Sequence, residues 1–258
     1  MSEEKILLQQ TDGHAALTLN RPELHNPLDG ALIDGLAGHL QTLARDGSVR
    51  VLTLRGAGPS FCAGADLKYV LANLADATKT AQYTRRVRDA FQALQDFPHP
   101  TIAVVHGFVL AGGLEMMMAC DLCLAADDAL LGDQHANFGL FPGGGATQRL
   151  PRLIGMRKAK ELMLLGSRIT GKQAEALGLV NLAVPAERLQ AVSQDWVANL
   201  AEKSPTGLRL MKEAVGRGAD MPLENGLDLE EKIFADYSGH EDMAEGLRAF
   251  QEKRKPQF

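Results

Sequence analysis

The sequence predicts an α/β fold, because short strand-like apolar runs alternate with amphipathic helical stretches through its first two thirds. The remainder reads as helix almost throughout, most clearly past about residue 200. Composition agrees: 45% of the 258 residues are apolar but only 5% aromatic, which suits a core of Ala, Leu, Val and Met.

Residues 15–19, AALTL, read as a strand, and NRPELHNP stops it with two prolines and two asparagines. Residues 29–44 place apolar side chains at helical spacing behind a capping Asp29. VRVLTL at 49–54 is the next strand. It runs into the glycine-rich RGAGPSFCAGADL, and a further helix starts near Leu67. Residues 78–96 form an amphipathic helix halted by FPHP. TIAVV at 101–105 reads as a buried strand and 122–126 as another, with HGFVLAGGLEMMMACDL between them. From Arg152 onward RKAKELMLLG, GKQAEALGL and residues 189–201 read as helices. SPTG then caps LRLMKEAV, and the last helix runs through AEGLRAFQEKR.

A net charge of -5 argues against a general nucleic-acid binder, and Arg85, Arg86 and Arg88 read as a solvated helix face. No apolar run approaches the roughly 18 residues of a membrane span, and the charged MSEEKILLQQ lacks the apolar stretch of a secretory signal. Three cysteines make no disulfide framework. Cys120 and Cys123 form a CxxC pair with no second ligand pair, so packing is expected rather than zinc or redox chemistry, in a reducing cytoplasm. GxGxxG after a strand, GxxxxGK[ST] and GxSxG are all missing, which leaves a nicotinamide or nucleotide-hydrolysing enzyme without support.

Three glycine-bearing loops are left as candidates for chemistry. In SFCAGADLK, Gly64 permits a tight turn that aims the Ala65 N–H into open space. In HGFVLAGGLE, Gly112 and Gly113 precede an apolar helix, so their N–H groups are free donors. The third, LLGDQHANFGLFPGGG, carries His135 between an apolar run and a glycine cluster. Taken singly, each reads as an ordinary turn.

In this order the three loops resemble the enoyl-CoA hydratase/isomerase (crotonase) superfamily, through FCAGADLK, HGFVLAGGLEMMMACDL and FGLFPGGGATQRLPRLIG. NRPELHNPL, ITGKQAEALGLVNLAVP and EGLRAFQEKRKPQF extend the likeness over essentially the whole chain. The resemblance implies a crotonase-like spiral of repeated ββα units with a helical C-terminal region. Residues 1–200 are expected to form the core with a CoA thioester site, and 201–258 to serve oligomerisation and pocket closure. It also implies a homotrimer, often paired into a hexamer. The substrate is an acyl-CoA, with no cofactor or metal beyond that coenzyme A, and with no nucleic-acid or membrane partner.

By the same resemblance the backbone N–H groups of Ala65 and Gly112 hold the thioester oxygen. Such donors suit a carbonyl that becomes an enolate, because they are fixed where the negative charge develops. Ala63, Asp66, Leu67 and Lys68 lie along the CoA-binding loop, and His25 takes a position that is often basic. Lys68 and His25 either contact phosphate or are merely surface residues. Glu115 matches the first of two glutamates that family hydratases use, and an unpaired carboxylate in an apolar helix is costly without a function.

The second glutamate is replaced here by His135, twenty residues after Glu115. Asp133 is two residues too early to occupy its place. Three readings stay open: His135 gives a proton to the α-carbon while Glu115 activates water; a single base serves an isomerase, decarboxylase or thioester hydrolase; or His135 only lines the pocket. A non-catalytic scaffold or RNA-binding homologue is the competing class, and the acidic charge speaks against RNA. The acyl pocket is expected between the helix after Leu67 and C-terminal segments of this chain or a neighbour. Tyr69, Phe91, Phe138, Phe141, Phe234 and Tyr237 either line it or pack the core, and core is the expectation for each.

Overall fold

The computed structural model describes residues 4–258. β1 (Ile6–Thr11) and β2 (His14–Leu19) form an antiparallel hairpin across Asp12 and Gly13, both at positive φ. That pair of left-handed residues matches the right-handed twist of the flanking strands, which is why Asp-Gly is favoured there. α1 (Gly30–Leu43) starts at Asp29, whose carboxylate accepts the Leu32 N–H at 2.9 Å. β3 (Val51–Gly56) then lies parallel to β2.

Two helices follow, α2 (Leu67–Leu74) and α3 (Ala77–Gln95). Val87, Ala90, Phe91 and Leu94 are the buried residues of α3, the 3.6-residue stripe of a helix packed on one side. β4 (Thr101–Val105) is buried along its whole length, the pattern of a central parallel strand covered on both faces. The short strand β5 (Phe108–Leu110) and helix α4 (Gly112–Met117) come next. The same sequence of events repeats with β6 (Leu122–Ala126) and β7 (Leu130–Gly132). After a 3-10 turn at His135–Phe138 the chain forms α5 (Ala146–Ile154), α6 (Met156–Leu165), β8 (Ile169–Thr170), α7 (Gly171–Ala176) and β9 (Leu182–Val184). It closes with α8 (Ala186–Ala201), α9 (Pro205–Gly218), α10 (Leu223–Tyr237) and α11 (Glu241–Glu252).

The larger sheet runs β1-β2-β3-β4-β6-β9, parallel throughout except for β1. The smaller runs β5-β7-β8. Bridges from Leu28 to Ala65 and from Cys62 to Val109 carry the smaller layer back to the earlier turns of chain. Each turn therefore lays one strand in the large sheet and one short extended segment in the small layer, and most turns then add a helix. This is the expected spiral of ββα units, and its small layer is where the glycine-bearing loops meet. Phe61, Phe91 and Phe97 are fully buried in the core.

The C-terminal helices bury little of their own: Gly207 in α9, nothing in α10 and Ala249 in α11. Lys212 ties α9 to Asp121 at 2.7 Å, and Arg50 holds the tail through the Phe258 carbonyl at 2.6 Å. Among the described residues no helix is long and apolar enough to cross a membrane.

Several expectations need correction. The N-terminal segment, read only for a signal sequence, forms β1 from Ile6, while residues 1–3 lie outside the described part. The strands β5, β7, β8 and β9 add to the expected elements; two or three residues give no period that a sequence could show. Phe138, Phe141 and Phe234 are not core residues but are 64%, 82% and 60% exposed, whereas Phe91 is core as expected. Leu67 and Lys68 form the first turn of α2, the helix expected to start near Leu67, so the expected CoA-binding loop ends at Asp66. Cys123 packs inside β6 and Cys120 follows α4 half-buried, so the CxxC pair is part of the packing.

Candidate active site

The first two glycine-bearing loops meet edge to edge. The bridge to Leu28 uses the Gly64 carbonyl (2.8 Å) and the Asp66 N–H (2.9 Å), so the Ala65 N–H between them points to the opposite side. Gly112 lies close by: a Cβ placed on it would stand 2.9 Å from Leu28 Cδ1 and 3.7 Å from the Ala65 nitrogen. Neither the Ala65 nor the Gly112 N–H donates to any group among the described residues. Gly64 makes this approach possible, with φ +105 and Ala111 Cβ only 3.0 Å from where its own Cβ would be. Ala111 itself takes φ 48, a costly value for a residue with a side chain, and its N–H is held by the Gly132 carbonyl at 3.0 Å.

Glu115 stands three residues after Gly112 in α4 and is 2% exposed. Its Oε1 accepts the Gly144 N–H at 2.8 Å and the Ala146 N–H at 3.0 Å. Oε2 accepts no hydrogen bond from the described residues, which leaves it as the oxygen able to take a proton. Burial pushes the Glu115 carboxyl above its ordinary value. The Ala146 N–H, the nearby charge of His135 and the Gly144 N–H pull it back without cancelling the rise. Arg149 braces the same turn, donating to the Gly144 carbonyl at 2.8 Å and to Gln95 at 2.9 Å.

His135 opens the 3-10 turn that follows β7, and its ring is held by Asp133, with Nδ1 at 2.9 Å from Oδ1. The same oxygen accepts the His135 backbone N–H at 3.1 Å. Asp133 is 1% exposed, and its Oδ2 is buried without a partner among the described residues. Burial alone lowers the imidazole, but the hydrogen bond and charge of Asp133, with the charge of Glu115, outweigh it and raise His135 above its ordinary value. The neighbouring Gln134 is tied to the Gly166 carbonyl at 2.9 Å and receives Arg168 Nε at 3.2 Å. Asp133, two residues too early to match the expected second acidic position, stands instead behind His135 and holds its ring.

Two cavities open on His135. One, of about 180 Å³, is bordered by Ala63, Ala65, Leu67, Ala111 and Arg168. The other, of about 330 Å³, is bordered by apolar residues of α5, α6 and the preceding turn, among them Leu140, Phe141, Pro142, Met156 and Met163. Within this chain the apolar room beside His135 is thus walled by α5 and α6, not by the C-terminal helices. Two larger grooves elsewhere on the surface hold none of the expected site residues.

The remaining predicted residues separate into those near this place and those already engaged. Ala63 borders the smaller cavity, and its N–H donates to the His25 carbonyl at 2.9 Å. His25 sits at φ 62 with Nδ1 2.9 Å from Ser60 Oγ, its ring against Phe108. The Asp66 carboxylate caps α2 and pairs with Arg21 at 2.9 Å. Burial works to raise it, but Arg21 and the α2 N–H groups hold it below the usual carboxylate range. Its side chain is therefore spent on structure. Leu67 and Lys68 are exposed at the start of α2. Arg168, not singled out from the sequence, borders the smaller cavity and stacks on Phe108 at 5.7 Å.

The chain is 40% identical over 255 residues to bovine enoyl-CoA hydratase domain-containing protein 2, mitochondrial, covering 95% of this chain and 84% of that one. It is 35% identical over 258 residues to a probable enoyl-CoA hydratase of Mycobacterium bovis, covering 100% and 99%. The structure of an enoyl-CoA hydratase from Bacillus anthracis superposes with a TM-score of 0.95 at 35% identity, covering 99% of each chain. The sequence profile of the enoyl-CoA hydratase/isomerase family matches residues 9–258, and with that fold and those relatives the chain belongs to this family.

Proposed function

We propose that the chain adds water across the double bond of a 2-enoyl-CoA thioester, or runs the reverse dehydration. The observation that carries this reading is Glu115: a buried carboxylate with one oxygen pinned by two N–H groups and the other left free, one helical turn from Gly112. A group so costly to bury is retained for chemistry rather than packing.

In this reading the thioester oxygen sits between the Ala65 and Gly112 N–H groups. Glu115 Oε2 takes a proton from water as the water oxygen bonds to C3, and the π electrons move onto the thioester as an enolate. The two N–H groups meet that charge, each supplying about 2.7–4 kcal/mol in sites of this kind. The enolate collapses by taking a proton from His135 at C2. Glu115 now holds the water's proton and returns it to His135 through solvent, so one water has been added and both residues are reset.

Coenzyme A enters as part of the substrate, along the segment from Ala63 to Lys68 in the first turn of α2 and past His25. Neither a metal nor a redox cofactor has a part in these steps. Leu223 (79% exposed) and Phe250 (83%) on the C-terminal helices support assembly as a trimer or a pair of trimers, since apolar residues so placed seek cover. The free thiols fit a reducing compartment such as the cytoplasm.

A turnover screen of short, long, branched and aromatic enoyl-CoAs, following water addition and double-bond migration separately, tests the reading. Hydration of at least one chain class is expected. Migration without hydration assigns the site to a single-base isomerase instead, and no reaction on any thioester removes the proposal.

A further inference from the structure

We propose that Asp133 is a positioning residue: by accepting Nδ1–H it fixes His135 in one tautomer, so that Nε2 is the atom that exchanges a proton with the substrate. The inference deepens the hydratase reading and rests on it for the step at C2, but the tautomer itself does not depend on any substrate.

The geometry is over-determined. Oδ1 of Asp133 binds both the ring nitrogen and the backbone N–H of His135, so the carboxylate fixes the ring and the turn together. Asp133 directly follows Gly132, the last residue of β7, whose carbonyl also holds the Ala111 N–H next to Gly112. The histidine and the backbone donors are thus set by one strand end. On the far flank Gln134 is anchored to the Gly166 carbonyl and to Arg168. With Nδ1 occupied, Nε2 is the nitrogen left for a ligand, and the residue borders both cavities.

Asp133 is otherwise hard to justify. A carboxylate buried to 1% exposure with Oδ2 unpartnered is costly unless a positive charge stands against it, and a protonated His135 supplies one. The ionisable groups that face His135 are Asp133 and Glu115, with Arg168 and Lys160 at the cavity walls. During turnover the Nε2 proton passes to C2 while Nδ1–H stays with Asp133. The imidazole becomes neutral and regains its proton from Glu115 through solvent. Asp133 touches no reacting atom in this scheme.

Asp133→Asn keeps the volume of the turn but removes the charge, and its amide can turn its NH2 toward Nδ1, which forces the opposite tautomer. Nitrogen-15 spectra of the free protein, with His135 assigned by its loss in His135→Gln, read the tautomer directly. Expected is an Nδ1–H ring in the wild type, titrating above 6.5. In Asp133→Asn the midpoint falls and Nε2–H becomes populated. On the substrate found by the enoyl-CoA screen, kcat of Asp133→Asn falls by about 100-fold or more while KM stays within about a factor of three. The alkaline limb of its rate profile moves to lower pH. In a His135→Gln background the same change has little further effect on kcat.

An Nε2–H tautomer in the wild type overturns the proposal, as does an unmoved midpoint in Asp133→Asn. Equal losses from Asp133→Asn with and without His135 would assign Asp133 a purely structural role and overturn it too. Failure of every enoyl-CoA to react sinks the hydratase reading, while the nitrogen-15 result still decides the tautomer.

Discussion

The Glu115 carboxylate lies 2.8 Å from the amide nitrogen of Gly144, joining α4 to a turn 29 residues further along the chain. The contact leaves no room at Gly144. A Cβ there would stand 2.8 Å from Glu115 Oε2 and 2.7 Å from a ring carbon of Phe91, which is itself fully buried. Gly144→Ala therefore has to move the carboxylate, the ring or the turn. Overpacking of this kind costs about 1–3 kcal/mol, and displacing a catalytic group by about 1 Å costs on the order of 100-fold in rate. A thermal melt and a kcat measurement on Gly144→Ala should show both losses. Wild-type values for both would mean that Glu115 is not held as tightly as this contact implies.

The two ionisable groups divide the pH axis between them. The proposed hydration requires Glu115 ionised and His135 charged. Burial first of all raises the Glu115 carboxyl above 4.5, so the rate climbs with pH along a limb that lies above that value. Asp133 and Glu115 outweigh burial and raise His135 above 6.5, so the rate falls along a second limb above 6.5 as the imidazole loses its proton. The limbs belong to the interacting pair rather than to either residue alone. Profiles of kcat/KM for the wild type and His135→Gln check this. The variant should lose the alkaline limb, together with about 100- to 10,000-fold in rate. An alkaline limb that survives in His135→Gln must come from another group.

Much of the fold was legible because its longer elements carry full periods. The buried stripe of α3 and the continuous apolar run of β4 each announce one geometry. β5 and β7 are three residues each, too short for any period, and they exist because the larger sheet's strands deliver them side by side. The hairpin of β1 and β2 has its sequence signal in the Asp12-Gly13 turn. Phe141 shows the limit of composition, since an aromatic residue in a glycine-rich turn gives no sign that it borders a cavity rather than the core.

At the site, the proposed roles of Glu115, Ala65 and Gly112 come from the spacing of loops that resemble a family. The role of Asp133 does not, because the same comparison counts registers and assigns no role to a residue that stands behind the one in register. Its bond to His135 is a short-range turn contact, visible only once the ring is placed. The partners of Glu115 were hidden for a related reason. They are backbone N–H groups of Gly144 and Ala146, which every residue but proline carries, so side-chain identity could not mark them.

The central claim is that Glu115 performs acid–base chemistry on an enoyl thioester, and Glu115→Gln tests it most directly. The amide keeps a carbonyl oxygen for the Gly144 and Ala146 N–H groups, so the fold and the binding site stay in place. The measurement is the loss of enoyl-thioester absorbance on hydration, compared between wild type and Glu115→Gln, with substrate affinity followed by calorimetry on the same samples. The expected result is a kcat lowered by about 100- to 10,000-fold at nearly unchanged affinity. Hydration by Glu115→Gln at the wild-type rate would contradict the claim.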